Sequence, residues 1–403
     1  MNEVPSASSA QERAPREAKD RLSRFAAAFV RLPALCFPLV FLALFTFVWV
    51  LLVLHPETGT VTVHSRPGSY DIAARVDRFV ANASSDALDG IVVIRKRYSI
   101  PETDLVAPLP NPALYGTTDD PAEVQAVING ASALLDGQTM VWDPGIERIK
   151  GSQLQYYCDD SILAVCWKEA LEYTAVSFAE IRIADGSQLR RCLAGNTYGS
   201  SLHLFATEMA KSVNAVIAIN GDYYDYRRLG ITAYQRQLYR VNPDRVDSAF
   251  FTASGEMLFS HPDELADEAE ALRFLEDNDV VFAISFGPVL VENGEMTQLG
   301  NYYPVGQITD HYSRSVIAQV DELHYLLMTV NIEPGLTHAA TLRQAQQFIY
   351  DKGVRSAYNL DGGQTAVLVI GGELFNRVDW GAQRAMSDII YFATAIPEEE
   401  WQT

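Results

Sequence analysis

Hydrophobic and polar positions fall into three regimes along this chain. From Leu32 to Leu54 no charged residue interrupts 23 positions. At about 1.5 Å per residue the run makes roughly 34 Å of helix, enough to cross a hydrocarbon core of about 30 Å. Pro33 and Pro38 stand near its start, where a first turn or a kinked helix tolerates them. A cleaved signal peptide is the alternative. Its apolar region would be unusually long, and Leu51-Leu52-Val53-Leu54-His55-Pro56 offers no small-x-small cleavage site. Residues 32–54 therefore read as an uncleaved transmembrane helix. Arg13, Arg16, Lys19, Arg21, Arg24 and Arg31 precede it, while only His55 and, further off, Arg66 follow closely. The positive-inside rule makes residues 1–31 a cytoplasmic tail and sends everything after the span outside the cell.

The second regime, residues 55–150, reads as a stem and linker. A short helix fits Tyr70–Ala81 and a strand-like run fits Gly90–Arg95, and Pro101, Pro108, Pro110 and Pro112 then favour extended chain. The spacing of Val124, Val127, Ile128, Ala131 and Leu135 predicts a helix over Asp120–Leu135.

The third regime is strand-rich. Strands are expected at Gln153–Cys158, Ile162–Lys168 and Ala175–Ile183, the last in rough alternation. A helix around Leu202–Lys211 leads to an apolar strand at Ala215–Ile219. Further strands fit Ala249–Phe251, Met257–Ser260, Val280–Ser285, Val289–Glu292, Ser315–Gln319, His324–Val330, Ala357–Leu360, Ala366–Ile370 and Ser387–Phe392. Thr341 and Gln344 have the spacing of a capping box, opening a helix to Lys352 that Gly353 stops. Many strands with few helices argue an α+β fold, a mixed β-sheet domain with flanking helices over residues 151–396.

Composition narrows the function. Net charge is -20, and because residues 1–54 carry +2, the rest carries -22. So negative a body repels nucleic acid and anionic lipid surfaces. No cofactor is expected, although such a surface is able to attract a divalent cation such as Ca2+ or Mg2+. No Cys or His pair has zinc-ligand spacing, so no metal site is expected. Of the four cysteines, Cys36 lies inside the span, and a hairpin disulfide between Cys158 and Cys166 is the first choice for an exported domain.

Two polar, glycine-containing loops follow apolar strands: Asn220-Gly221-Asp222-Tyr223-Tyr224 and Asn359-Leu360-Asp361-Gly362-Gly363-Gln364-Thr365. Sheet proteins place chemistry in such loops. The first resembles the Asn-Gly-Gly/Asp-aromatic-aromatic motif of the phosphodiester glycosidase family. Ser285-Phe286-Gly287-Pro288-Val289-Leu290 is similar to that family's Gly-Pro turn, and Ser313-Arg314-Ser315-Val316-Ile317 to its Arg-Thr-Ala-Ile segment. Asn359-Leu360-Asp361-Gly362-Gly363 matches its most specific motif. The resemblance runs from Tyr156 to Phe392, about 60% of the chain. Two stretches depart from the pattern. Gln364-Thr365-Ala366 stands where the family usually has Gly-Ser-Ser, and Asn331-Ile332-Glu333-Pro334 replaces a turn that often carries a basic residue.

The resemblance implies an extracytoplasmic, membrane-anchored glycosidase that hydrolyses a sugar-phosphate diester, with a cell-surface glycan as substrate or partner. Phosphate leaves with low basicity, so stabilising its charge matters more than protonating it. Arg314 is the candidate for that task by bidentate hydrogen bonding, with the amides of Gly362, Gly363 and Gln364 as a cradle and the Thr365 hydroxyl beside them. Asp361 orients sugar hydroxyls, activates water or stabilises oxocarbenium-like charge. Asn220 positions either substrate half, Gly221 and Asp222 shape the loop against substrate, and Tyr223 or Tyr224 stacks on a sugar ring. Arg227 reaches the site or stays on the surface, the latter being the simpler reading, and His311 reads as structural. A non-catalytic glycan-binding protein of the same fold is the rival reading.

Overall fold

The computed structural model describes residues 98–401 except 173, 301, 304–305 and 333–338, and the backbone alone at 302–303 and 306–307. The expected transmembrane helix, the 70–81 helix, the 90–95 strand and Glu333-Pro334 lie outside the described residues. Among the described residues no helix is long and apolar enough to cross a membrane.

Chain order begins with β1 (Tyr115–Thr118), α1 (Pro121–Gly130) and α2 (Ser132–Leu135). Next come β2 (Leu154–Cys158), β3 (Ile162–Leu171), β4 (Thr174–Ile183), β5 (Leu189–Leu193), α3 (Ala206–Ser212) and β6 (Ile217–Asn220). The middle of the chain holds β7 (Gly230–Tyr234), β8 (Gln237–Asn242), β9 (Ser248–Thr252), β10 (Met257–Ser260), α4 (Glu268–Asp277), β11 (Val280–Ile284) and β12 (Val289–Glu292). Three short strands follow, β13 (Glu295–Met296), β14 (Tyr302–Tyr303) and β15 (Gly306–Gln307), then the long β16 (Arg314–Asp321) and β17 (His324–Asn331). The chain closes with α5 (Leu342–Tyr350), β18 (Ser356–Leu360), β19 (Leu368–Ile370), β20 (Glu373–Leu374) and β21 (Asp388–Phe392).

The fold is α+β and sheet-rich, as expected, but the expected single sheet divides. Nine strands form one sheet in the order β1-β2-β3-β4-β17-β16-β18-β12-β13. Two five-stranded sheets run β10-β9-β11-β7-β8 and β20-β19-β6-β21-β5, and β14-β15 is a hairpin. Each pairing between these strands is antiparallel.

The layering explains why β4 is buried along its whole length where alternation was expected. One face of the nine-stranded sheet, with Ala179, Ile181 and Ile183 of β4, packs on the two smaller sheets through Ile217, Ile219, Phe251, Phe282 and Ile390. The opposite face, with Val176 and Phe178, is covered by Val124 and Ile128 of α1, Leu135 of α2 and Phe348 and Ile349 of α5. Each Val, Leu, Ile or Phe among these contributes about 1.5–3 kcal/mol by leaving water. The outer faces of the smaller sheets carry α3, through Met209 and Ala210, and α4, through Ala271 and Leu275.

Residues 98–150, read as linker, contribute to the domain: β1 pairs with β2, and Ile100 and Ala107 lie in the core beside α3. Buried Glu180 accepts from the backbone N–H of Val141 and of Trp142, at 2.5 and 2.7 Å, and meets His324 Nε2 at 2.7 Å. The helix expected over 120–135 is two helices. Asp120 caps α1 by accepting from Ala122 N–H at 2.9 Å, and the chain kinks at Ala131 after the poor helix former Gly130. The Thr341–Gln344 capping box forms as expected, and Gly353 follows α5 at φ 72°.

No disulfide joins Cys158 to Cys166; both thiols are free, as is Cys192. The register is the reason. Cys158 lies opposite Leu163 and Cys166 opposite Gln155, so the two sulfurs lie three pairs apart and on opposite faces of the sheet.

Candidate active site

The two loops singled out in the sequence meet where β6 and β18 end and β16 begins. Asn220, buried at the end of β6, donates from Nδ2 to the Asp361 carbonyl at 2.8 Å and accepts at Oδ1 from Val367 N–H at 3.4 Å. Asp361 N–H donates to the Gly221 carbonyl at 3.4 Å, and Gly363 N–H to the Ser313 carbonyl at 2.9 Å. Two glycines permit this approach. A Cβ on Gly362 would stand 2.3 Å from the Ser313 carbonyl oxygen, and one on Gly221 would stand 2.2 Å from the Asp388 carboxylate.

Asp361 forms the floor. Its Oδ1 accepts from Gly362 N–H at 2.9 Å, and its Oδ2 lies 2.7 Å from the Thr365 hydroxyl and 3.2 Å from Arg384 Nη2. The Thr365 hydroxyl also lies 2.7 Å from the Gly362 carbonyl, so its one proton serves either acceptor. The carboxyl side chain is 13% exposed. Burial raises its pKa above the ordinary carboxylate value, opposed by Thr365, Arg384, Gly362 N–H and Arg227.

Beside the carboxylate stands an aromatic wall crossed by two guanidinium groups. Arg384 lies 5.3 Å and Arg227 5.7 Å from the Tyr223 ring centroid, and Arg227 also lies 4.6 Å from that of Phe286. Tyr223 stacks on Tyr226, centroids 4.2 Å apart and planes at 14°. His203 borders Tyr226 at 5.3 Å and pairs through Nε2 with Asp225 Oδ2 at 3.3 Å. The arrangement offers positive charge for an anion, a carboxylate with raised pKa, and flat apolar surface, side by side.

The other candidate residues divide. Asp222 is a strut: its Oδ1 accepts from Tyr224 N–H at 2.8 Å and lies 3.3 Å from Arg191 Nη2, and its Oδ2 accepts from Ser285 N–H at 2.9 Å. Arg191 also donates from Nε to Asp388 Oδ2 at 2.7 Å, so one buried guanidinium ties two buried carboxylates beneath Gly221. Burial raises the pKa of Asp388, and Arg191 opposes the rise. Tyr224 is buried near Arg191, 5.4 Å from its guanidinium, and leaves Tyr223 to line the site. The Gly362 and Gly363 amides, expected to cradle phosphate, are spent on Asp361 Oδ1 and the Ser313 carbonyl. Half-buried Gln364 accepts at its carbonyl from Arg384 N–H at 3.4 Å.

Arg314 stands apart from this cluster. Its side chain shares the sheet face of Val316 and donates to the carbonyls of Asp310, at 2.9 Å, and Ala340, at 3.4 Å. Burial lowers its pKa to about 10, offset in part by Tyr312 and Asp310. Arg384, which no motif marked, and Arg227, read as surface, supply the positive charge beside Asp361. Arg227 carried a weak signal, because it closes the aromatic run that begins at Tyr223. Among the described residues no group of three or more His, Cys, Asp or Glu side chains could hold a metal ion.

The site is thus a loop-borne carboxylate among arginines at the ends of antiparallel strands. Residues 213–393 match the sequence model of the phosphodiester glycosidase family. No curated protein matches. Among solved structures, one similar chain is the zebrafish N-acetylglucosamine-1-phosphodiester alpha-N-acetylglucosaminidase catalytic domain, auto-inhibited by its pro-peptide. Identity is 19% and the TM-score 0.45, over 61% of this chain and 86% of that one. A hypothetical protein from Synechocystis is similar at 15% identity and a TM-score of 0.45, over 60% of this chain and 64% of the other. A protein of Burkholderia pseudomallei is similar at 11% identity and a TM-score of 0.37, over 55% and 74%.

Proposed function

We propose that the chain hydrolyses a glycosyl phosphodiester outside the cytoplasm, held to the membrane by residues 32–54, with a cell-surface glycan as its substrate class. The observation that carries the reading is the Asp361 carboxylate within 3.2 Å of Arg384, with Arg227 on the same aromatic ring. In the proposed reaction, water attacks the anomeric carbon and the bond from that carbon to the phosphate oxygen breaks. The bonding pair leaves with the phosphate, and Asp361 takes the water proton. Products are a free sugar and a phosphomonoester. Arg384 and Arg227 stabilise the departing phosphate, and Tyr223 with Tyr226 offers a face for the sugar. The match of residues 213–393 to the phosphodiester glycosidase model supports the reaction class; the anchor and the polymer rest on the sequence pattern.

The test is hydrolysis of methyl phosphodiesters of several sugar 1-phosphates by the full chain in detergent. Asp361→Asn and Arg384→Ala should each lose activity while keeping the wild-type melting transition. An Asp361→Asn variant as active as wild type would overturn the assignment.

A further inference from the structure

Trp380 is 89% exposed and has the left-handed backbone angles φ 57° and ψ 13°. A bulky side chain rarely adopts that conformation, and such residues collect at functional sites. The turn that carries the indole is nonetheless well fixed. The Ser313 hydroxyl lies 2.7 Å from both oxygens of the Asp379 carboxylate, and Gly381 N–H donates to the Val378 carbonyl at 3.0 Å. Four residues on, the same segment delivers Arg384 to Asp361.

Tyr312, 47% exposed, precedes Ser313, whose carbonyl accepts from Gly363 N–H. Tyr226, 59% exposed, follows Gly221, whose carbonyl accepts from Asp361 N–H. Among the described residues the exposed large aromatics are Phe205, Tyr226, Tyr312, Tyr350 and Trp380. Three of these five therefore sit on segments bonded directly to the Asp361 loop.

We propose that Trp380 and Tyr312 form an accessory saccharide subsite beside Asp361, which makes the preferred substrate a glycan chain instead of a single glycosyl phosphodiester. This rests on the hydrolase reading above. The Tyr312 ring carries the Arg314 guanidinium 5.3 Å from its centroid and is still 47% exposed, and exposed aromatic faces set among hydrogen-bonding groups suit the apolar faces of pyranose rings. A lipid surface would call for a continuous apolar patch, whereas Trp380 follows Asp379 directly and the whole chain carries a charge of -20.

The experiment uses the full chain in detergent and methyl phosphodiesters of glucose and of N-acetylglucosamine, lengthened from one to four sugar units on either side of the phosphate. Wild-type kcat/KM should rise about tenfold or more with length, mainly through KM. Trp380→Ala should flatten that rise and leave the one-unit rate within about twofold, with Tyr312→Ala intermediate. Binding is read separately in Asp361→Asn, whose indole emission should respond to the four-unit compound and cease to respond once Trp380 is also removed.

Equal length dependence in wild type and Trp380→Ala overturns the subsite while leaving the hydrolase standing. A binding response that needs Trp380, in a wild type that cleaves none of the probes, keeps the subsite and ends the hydrolase reading. Quenching by brominated lipid that shrinks on Trp380→Ala, in full chain reconstituted in nanodiscs, would assign the indole to the membrane and overturn the proposal.

Discussion

Arg384 reaches Asp361 across 23 residues of chain and holds its Nη2 3.2 Å from Oδ2, while its own guanidinium lies over the Tyr223 ring. The contact joins the loop after β18 to the loop before β21. It pairs a carboxylate with a counter-charge that an anionic substrate can share. Asp361→Asn should lower kcat about 10²–10⁴-fold, and Arg384→Ala about 10²–10³-fold. Arg314→Ala should instead lower stability and spare the turnover of folded molecules, because its guanidinium serves two carbonyls. Steady-state kinetics beside thermal melts separate the cases.

Burial raises the Asp361 pKa, so the carboxylate proposed to accept the proton persists only above that raised value. Activity should fall as pH drops through it, and the acid limb of the kcat/KM profile should lie above the ordinary carboxylate range. Arg384 opposes the rise, and its removal should move the acid limb to still higher pH. A limb that stays in place after Arg384→Ala would break the link between the two residues.

Gly221→Ala drives a Cβ to 2.2 Å from a carboxylate that Arg191 already holds. An overpacked core typically costs about 1–3 kcal/mol, and displacing one member of a buried ion pair adds to that. The midpoint of urea unfolding should therefore drop well below that of Gly130→Ala, where nothing stands within 4 Å of the new methyl. Equal midpoints would mean that Asp388 moves aside freely.

His261 lies between Asp247 Oδ1 and Glu292 Oε2, at 3.1 Å from each. Burial works to lower its pKa, but hydrogen bonds to both carboxylates outweigh it and the net shift is upward. The resulting stabilisation is full below the unfolded value near 6.5 and is lost as pH rises through the higher folded value. His261→Gln should therefore cost stability at pH 6 and little at pH 9. The imidazole is 40% exposed, so solvent screening keeps the effect small. Denaturant melts at the two pH values read the difference.

Free thiols at Cys158, Cys166 and Cys192 mean that reductant should leave the melting temperature unchanged. Alkylation after unfolding without reductant should label all three. A reductant-sensitive transition would overturn the assignment of these three residues as free thiols.

Much of this site could be read from the chain. Asn220 and Asp361 each end an apolar strand and precede glycine, and the two loops do meet through the Asn220 amide and the Asp361 carbonyl. The Thr341–Gln344 cap was legible because its spacing is local. What escaped depends on partners distant in sequence. Asp222 reads like a ligand-facing acid, and only the buried Arg191 on β5, a strand whose charged centre hid it, shows it to be a strut. Arg384 lies in an irregular loop, where no periodicity marks a side chain as functional. The cysteines share even parity, yet the hairpin pairs even positions with odd ones, and a turn three residues long decided that register.

Glu180 clasps Val141 and Trp142 to the centre of the nine-stranded sheet, and β1 zips onto its edge. Residues 98–150 therefore behave as a sash tied around the body and not as a slack tether. A protease nick between α2 and β2 would leave two fragments that stay together until denatured. A truncation starting at residue 151 would strip cover from one side of the sheet and invite aggregation.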